Sequence, residues 1–242
     1  MRRLPFVAAL LFGAAFLLAG CLEAKLVPTQ DLPVAAPWRA PESLEYVLLH
    51  RTKGNEIGRG TLEVAEKDGR IELSQKFKNA QDYDNSAVLV EPATLKPISG
   101  TRDRLVDDER KRLRSEYDAT ENVVTIIEIK DSGERPVPHR LKDNYYDNDS
   151  SLFLWRSLNF VVGFTANYHT IVTGSGEQPV LHLEVTRKER ITVPAGTFDT
   201  WRLEIRGQDR NQVAWYADTP GRPLVQYDNS VQLFRLTTVP PS

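Results

Sequence analysis

From residue 43 onward the chain is written in short runs that alternate apolar and polar residues one for one. They cover residues 43–50, 58–65, 70–78, 86–90, 95–102, 111–118 and 122–129 in the first half. In the second half they cover 166–173, 180–187, 189–192, 198–206, 212–216, 224–227 and 231–237. Successive side chains of a strand point to opposite faces, so each run has one face to bury and one to wet, a period that no α-helix satisfies. The connectors fit the same reading. Lys67-Asp68-Gly69-Arg70 is an Asp-Gly hairpin turn, and Asp118-Ala119-Thr120-Glu121-Asn122 is a polar loop between two runs. About a dozen meander-linked strands predict an all-β, predominantly antiparallel domain built as a twisted sheet, a sandwich or an open barrel.

One segment breaks the period. After the capping cluster Asp147-Asn148-Asp149-Ser150, the residues Leu152, Phe153, Trp155, Arg156, Leu158 and Phe160 recur at helical spacing. This predicts one short apolar helix near residues 149–160 that plugs or lids one end of the sheet. Turn signals recur steadily from 43 to 238, so residues 42–239 are read as a single β domain.

The N-terminus has a different grammar. Arg2 and Arg3 precede a charge-free run over residues 4–18, which is shorter than the roughly 20 apolar residues needed to span a bilayer and has the form of a signal peptide. It ends in Leu18-Ala19-Gly20-Cys21, where small residues precede the only cysteine of the chain. All four positions match the lipobox of bacterial lipoproteins, which this segment resembles. The resemblance implies cleavage between Gly20 and Cys21, a thioether-linked diacylglycerol on Cys21, and acylation of the new amino terminus. Residues 1–20 are then a lipoprotein signal peptide. Residues 21–41, with Pro28, Pro33, Pro37 and Pro41, read as a proline-rich tether, part of which around Trp38 has the apolar surface to pack on the domain. The anchor makes the membrane the first expected partner and places the domain outside the cytoplasm. Leu22 stands where enterobacterial-type sorting places an inner-membrane Asp, so the expected location is the outer membrane facing the periplasm, or the outer face of the cell membrane in a cell without one.

Composition sets the remaining bounds. With 31 Lys+Arg against 33 Asp+Glu and 40% hydrophobic residues, the chain is neither disordered nor equipped with the basic stripe that collects phosphates, so no nucleic-acid partner is expected. Losing Arg2 and Arg3 with the signal peptide takes the formal charge from −2 to −4. His50, His139, His169 and His182 show no metal-ligand spacing, and no nucleophile elbow or phosphate cradle occurs. Asp143, Asp147 and Asp149 fit a helix cap better than a calcium loop. The alternating charges over residues 102–114 read as a solvated hairpin with cross-strand ion pairs. No catalytic residue, metal site or cofactor is therefore expected, and the chain reads as a non-enzyme.

The order of features also resembles a family of extracytoplasmic bacterial proteins known only as a domain of unknown function, DUF3108. The resemblance rests on Glu56-Ile57-Gly58-Arg59-Gly60, on Leu154-Trp155-Arg156-Ser157-Leu158, and on the distinctive Pro194-Ala195-Gly196-Thr197-Phe198 segment running into Asp199-Thr200-Trp201. Ala214-Trp215-Tyr216-Ala217-Asp218 and Arg222-Pro223-Leu224-Val225 complete it. Pro194 cannot donate to a ladder and Gly196 tolerates positive φ, so this segment reads as a structural corner between strands. The resemblance implies a curved half-barrel similar to that of the lipoprotein carriers LolA and LolB, with a concave apolar face. The expected function is a tethered module that binds an apolar ligand or lipid on that face, with Trp155, Phe160 and Phe164 at its lid or mouth. The alternative is a structural lipoprotein of the cell envelope that docks a protein partner and no small ligand.

Overall fold

The structure is a computed structural model that describes residues 28–207 and 211–238. Gly20, Cys21 and the signal segment lie outside the described residues. The elements in chain order are β1 (Glu42–His50), β2 (Glu56–Lys67), β3 (Arg70–Lys78), β4 (Tyr83–Val90), β5 (Pro97–Val106), β6 (Glu109–Asp118), β7 (Val123–Lys130), β8 (Gly133–Arg140) and β9 (Tyr145–Asp147). A 3₁₀ turn at Asn148–Ser150 leads into helix α1 (Ser151–Arg156). Then follow β10 (Thr165–Ile171), β11 (Val180–Val193), β12 (Gly196–Arg206), β13 (Asn211–Ala217), β14 (Leu224–Asp228) and β15 (Gln232–Leu236). The prediction of an all-β, mostly antiparallel fold with one short helix holds.

All fifteen strands form one open sheet, in the order β8 to β1, then β15 down to β9. The first and last strands meet in the middle, where β1 pairs antiparallel with β15. The middle of the chain forms both edges, and this forces curvature. Laid flat at about 4.8 Å per strand, β8 and β9 would lie about 67 Å apart, yet the four residues 141–144 that join them reach only about 17 Å fully extended. The sheet therefore curls until its two edges approach. The β9 edge, the only one with a parallel neighbour, tucks inside the curl with the 3₁₀ turn and α1 behind it. Side chains hold this seam: Tyr117 stacks on Tyr145 at 6.1 Å, and its hydroxyl donates to Asp147 at 2.5 Å.

The inner face carries the core, with Leu44, Tyr46, Leu73, Val88, Leu183, Leu203 and Tyr216 nearly or fully buried. Helix α1 fills the curl rather than covering its end. It is a turn and a half long, shorter than the helix expected near residues 149–160, and all six of its residues are buried. The hydroxyl of Tyr216 donates to the Leu152 carbonyl at 2.8 Å, and the guanidinium of Arg156 pairs with Glu42 at the start of β1, Nη2 to Oε2 2.9 Å. The proline-rich segment is bound from Pro28 onward, not at Trp38 alone. Leu32 and Trp38 are buried, the Ala35 N–H donates to the Ser157 carbonyl at 2.9 Å, and Trp38 meets Phe153 edge to face at 6.3 Å.

Local chemistry explains the turns. Asp68 and Gly69 have φ of 51° and 74°, the two left-handed positions that a two-residue hairpin between β2 and β3 requires. Pro194 and Ala195 form the corner between β11 and β12, closed by the Val193–Gly196 pair.

Candidate functional site

Period-2 alternation also determines what the inner face presents along its length. On β4, Val90, Val88, Ser86 and Asp84 share that face, and on β5 so do Gly100, Arg102, Arg104 and Val106. The inner surface is thus apolar near one end of these strands and charged near the other. At the charged end the curl is not filled by side chains, which leaves an open-mouthed cavity of about 630 Å³, within the roughly 300–1,000 Å³ of small-molecule sites.

The cavity has two unlike walls. Leu48, Phe77, Leu152, Trp155, Tyr227 and Phe234 form the apolar one. Phe77 meets Phe234 edge to face at 5.2 Å, and Trp155 donates from Nε1 to the Tyr168 hydroxyl at 2.9 Å, so its ring is held in place. Gly60 is needed here, because a Cβ at that position would lie 2.6 Å from the Phe77 ring. The rest of the lining is polar, with Asp82, Asp84, Arg102, Arg104 and Asp149, and Lys78 at the mouth where β3 ends.

Within the polar lining lies a half-buried ion cluster. Arg102 grips Asp84 through two hydrogen bonds, Nε to Oδ1 at 2.9 Å and Nη2 to Oδ2 at 2.6 Å, and reaches Asp149 through Nη1 at 3.2 Å. Burial alone would lower the pKa of Arg102, but the Asp84 hydrogen bonds and the Asp149 charge hold it above its ordinary value. Asp149 also accepts from the Thr173 hydroxyl at 3.3 Å, and its carboxyl is raised by burial against the opposing pull of Arg102. Asp147 is fully buried. Its Oδ1 accepts the Asp149 N–H at 2.8 Å, and burial, reinforced by the Asp149 charge, pushes its carboxyl up to about 7. The capping role expected of Asp147 is present, since its side chain caps the 3₁₀ turn. The reading of residues 102–114 as a solvated hairpin needs one correction. Arg110–Asp103 and Arg114–Glu134 are exposed cross-strand pairs, whereas Arg102 faces inward and binds the half-buried Asp84 and the buried Asp149.

Of the three aromatic residues expected at a ligand site, Trp155 lines the cavity and Phe160 and Phe164 do not. Phe160 is buried elsewhere, stacked on Trp201 at 6.1 Å and packed against Tyr216 at 5.4 Å, and Phe164 packs half-buried against the core. The sequence reading missed the polar wall. Its strand limits at 86 and 102 stopped one residue pair short, although the same alternation extends through Asp84 and Arg104. Among the described residues no group of three or more His, Cys, Asp or Glu side chains has the geometry to hold a metal ion, and no helix is long and apolar enough to cross a membrane. His169 Nδ1 contacts the Asp143 carbonyl at 2.7 Å and His182 Nδ1 contacts Asn167 Oδ1 at 2.7 Å.

Comparison with solved structures shows the same architecture elsewhere. The chain is similar to a β-barrel-like protein of a domain of unknown function, DUF1849, from Brucella abortus, with a TM-score of 0.56 and 9% identity over 82% of this chain and 96% of that one. Weaker overlaps, each with a TM-score of 0.33 over 86% of this chain and 99% of the other, are to an exported protein with a YmcC-like fold from Bacteroides fragilis (10% identity) and a lipoprotein from Parabacteroides distasonis (15% identity), both provisionally so described. At 9% identity the first of these speaks to the fold alone, and the other two carry no argument. No curated protein matches the sequence. The family model described as "Protein of unknown function (DUF3108)" matches residues 45–232, from β1 to the start of β15, and the chain therefore belongs to the DUF3108 family.

Proposed function

We propose that this protein is a non-enzymatic lipoprotein, anchored outside the cytoplasm through Cys21, that holds a lipid or other ligand with an apolar part in the cavity between helix α1 and the curled sheet. The observation that carries this reading is the aromatic wall of a 630 Å³ cavity left unfilled by the protein's own side chains. Apolar surface in such a cleft gains by meeting a ligand rather than water. The outer surface supports an internal site over a docking face, because the large hydrophobic residues exposed among the described residues are four valines, Val137, Val161, Val162 and Val231. The anchor rests on the lipobox at residues 18–21, and two or more acyl chains at about 0.8 kcal/mol per buried CH₂ make such a tether stable.

The test is mass spectrometry of organic extracts from the chain beginning at residue 21 with Cys21→Ser, so that no extracted lipid derives from an anchor. The expected result is a stoichiometric amphiphile that co-purifies and is depleted in Trp155→Phe, which removes the indole while keeping a ring in the wall. A protein that stays empty after incubation with envelope lipid overturns the cavity reading. For the anchor, labelled palmitate is expected to enter the wild-type chain and not the Cys21→Ser chain; equal labelling of both would rule Cys21 out.

A further inference from the structure

The two walls of the cavity make different demands on a ligand, and the polar wall specifies its head. Building on the ligand-binding reading above, we propose that the cavity selects an amphiphile with a zwitterionic head group over neutral or net-anionic heads on the same acyl chain.

The charges of the polar wall can be counted off against one another. Arg102 neutralises one of its two carboxylate partners, Asp84 and Asp149, through the contacts already described. The negative charge that remains is met by Arg104, whose Nε lies 3.9 Å from Asp84 Oδ2. Two cations and two carboxylates thus cancel, and a ligand gains little by displacing them. Lys78 and Asp82 are left. They flank the turn between β3 and β4, and among the described residues neither lies within ion-pair distance of an opposite charge or of each other. Asp82 is held in place: its Oδ1 accepts the Asp107 N–H at 3.2 Å, and its Oδ2 accepts from the Asn79 side chain at 3.0 Å. Lys78 is exposed and free to extend.

The rim therefore offers one unmatched cation and one unmatched carboxylate beside an aromatic wall. A head group with a single negative charge satisfies Lys78 and is repelled by Asp82, while an uncharged head satisfies neither. A head carrying both signs, such as a phosphate with a nearby ammonium, meets both at once. Complementarity of this kind discriminates between ligands through the unfavourable pairing as much as through the favourable one.

The test is calorimetric titration of the residue 21–242 chain carrying Cys21→Ser with three single-chain probes of equal acyl length, below their micelle concentrations: a lysophosphatidylethanolamine, a lysophosphatidic acid and a monoacylglycerol. The expected result is an affinity for the zwitterionic probe about five-fold above each of the others, a gap of the size that charge-assisted hydrogen bonds at a half-exposed rim supply. In Lys78→Gln/Asp82→Asn this preference is expected to vanish while the monoacylglycerol affinity stays as in the parent. Lys78 is exposed and Asp82 half-buried, so the double variant is expected to fold, with circular dichroism as the check. Equal affinities for the three probes, tighter binding of the anionic probe, or a preference that survives the double substitution would each overturn the head-group assignment and leave the cavity reading standing. Binding of none of the three overturns both.

Discussion

At the scale of single residues the most informative group is Asp147. A carboxyl with no access to water favours its neutral form, and here the folded protein raises the pKa from the ordinary value near 3.8 up to about 7. The sign of the linkage follows. A raised pKa means that the folded state binds a proton more tightly than the unfolded state, so the contribution of Asp147 to stability is full below pH 4 and is lost as the pH rises towards 7. Thermal unfolding of the wild type is therefore expected to move to lower temperature between pH 5 and pH 8. In Asp147→Asn, which keeps an oxygen to cap the Asp149 N–H, the fall is expected to be smaller. Parallel pH profiles for the two proteins would remove Asp147 from this account. Nothing local to the sequence announces this behaviour. Asp147 precedes a helix in a polar turn, where an exposed carboxylate is the ordinary outcome. Its burial comes from Tyr117 and Gly100 on strands far away in the chain; a Cβ at Gly100 would lie 3.5 Å from Asp147 Oδ2.

Among the elements, β8 shows where alternation fails as a guide. It is exposed on both faces, and its Pro136 and Pro138 argue against a strand, so no alternating run marks it in the sequence. Both prolines sit two residues apart opposite Ile127 and Thr125 of β7. Lacking N–H groups, they occupy the positions that face away from β7, while Arg135, Val137 and His139 carry the ladder. The free edge of the fifteen-stranded sheet thus offers carbonyl acceptors at those two positions and no donors, which blocks the pairing of a second chain. Pro136→Thr/Pro138→Thr restores the donors. It is expected to form concentration-dependent dimers or larger species in sedimentation velocity, with wild type monomeric at the same concentrations; a monomeric double variant would assign the prolines another role. The opposite error occurs at β11. Residues 180–187 and 189–192 read as two runs because the alternation slips between them, and the structure joins them in one strand with a register shift between Val185 and Arg187. A bulge and a break look alike in one dimension, since only the partner strand shows whether the ladder resumes.

The whole molecule depends on a few contacts between elements far apart in the chain. Arg156 on α1 has 2% of its side chain exposed and is paired with Glu42, 11% exposed, at the start of β1, while its Nε donates to the Gly221 carbonyl at 2.9 Å. This ties the helix inside the curl to the strand at the centre of the sheet. Glu42→Gln leaves the Arg156 charge buried with no anion, and the expected loss in urea unfolding is about 3–5 kcal/mol; a loss below about 1 kcal/mol would mean that water reaches Arg156 and that the tie is weak. What the sequence by itself determined is the all-β class, the positions of most strands, the hairpin at Asp68-Gly69 and the short helix after the Asp147–Ser150 turn, because alternation, turn chemistry and capping depend on residues within a few positions of one another. Only the tertiary structure decided that the sheet curls until β9 tucks inside it, that α1 fills the curl, that Phe160 and Phe164 leave the site while Trp155 stays, and that Arg102 turns from an apparent surface charge into the partner of the half-buried Asp84 and the buried Asp149. These outcomes follow from which elements become neighbours although they are not adjacent in the chain, and a period of two, which reports that one face is buried, does not report what buries it.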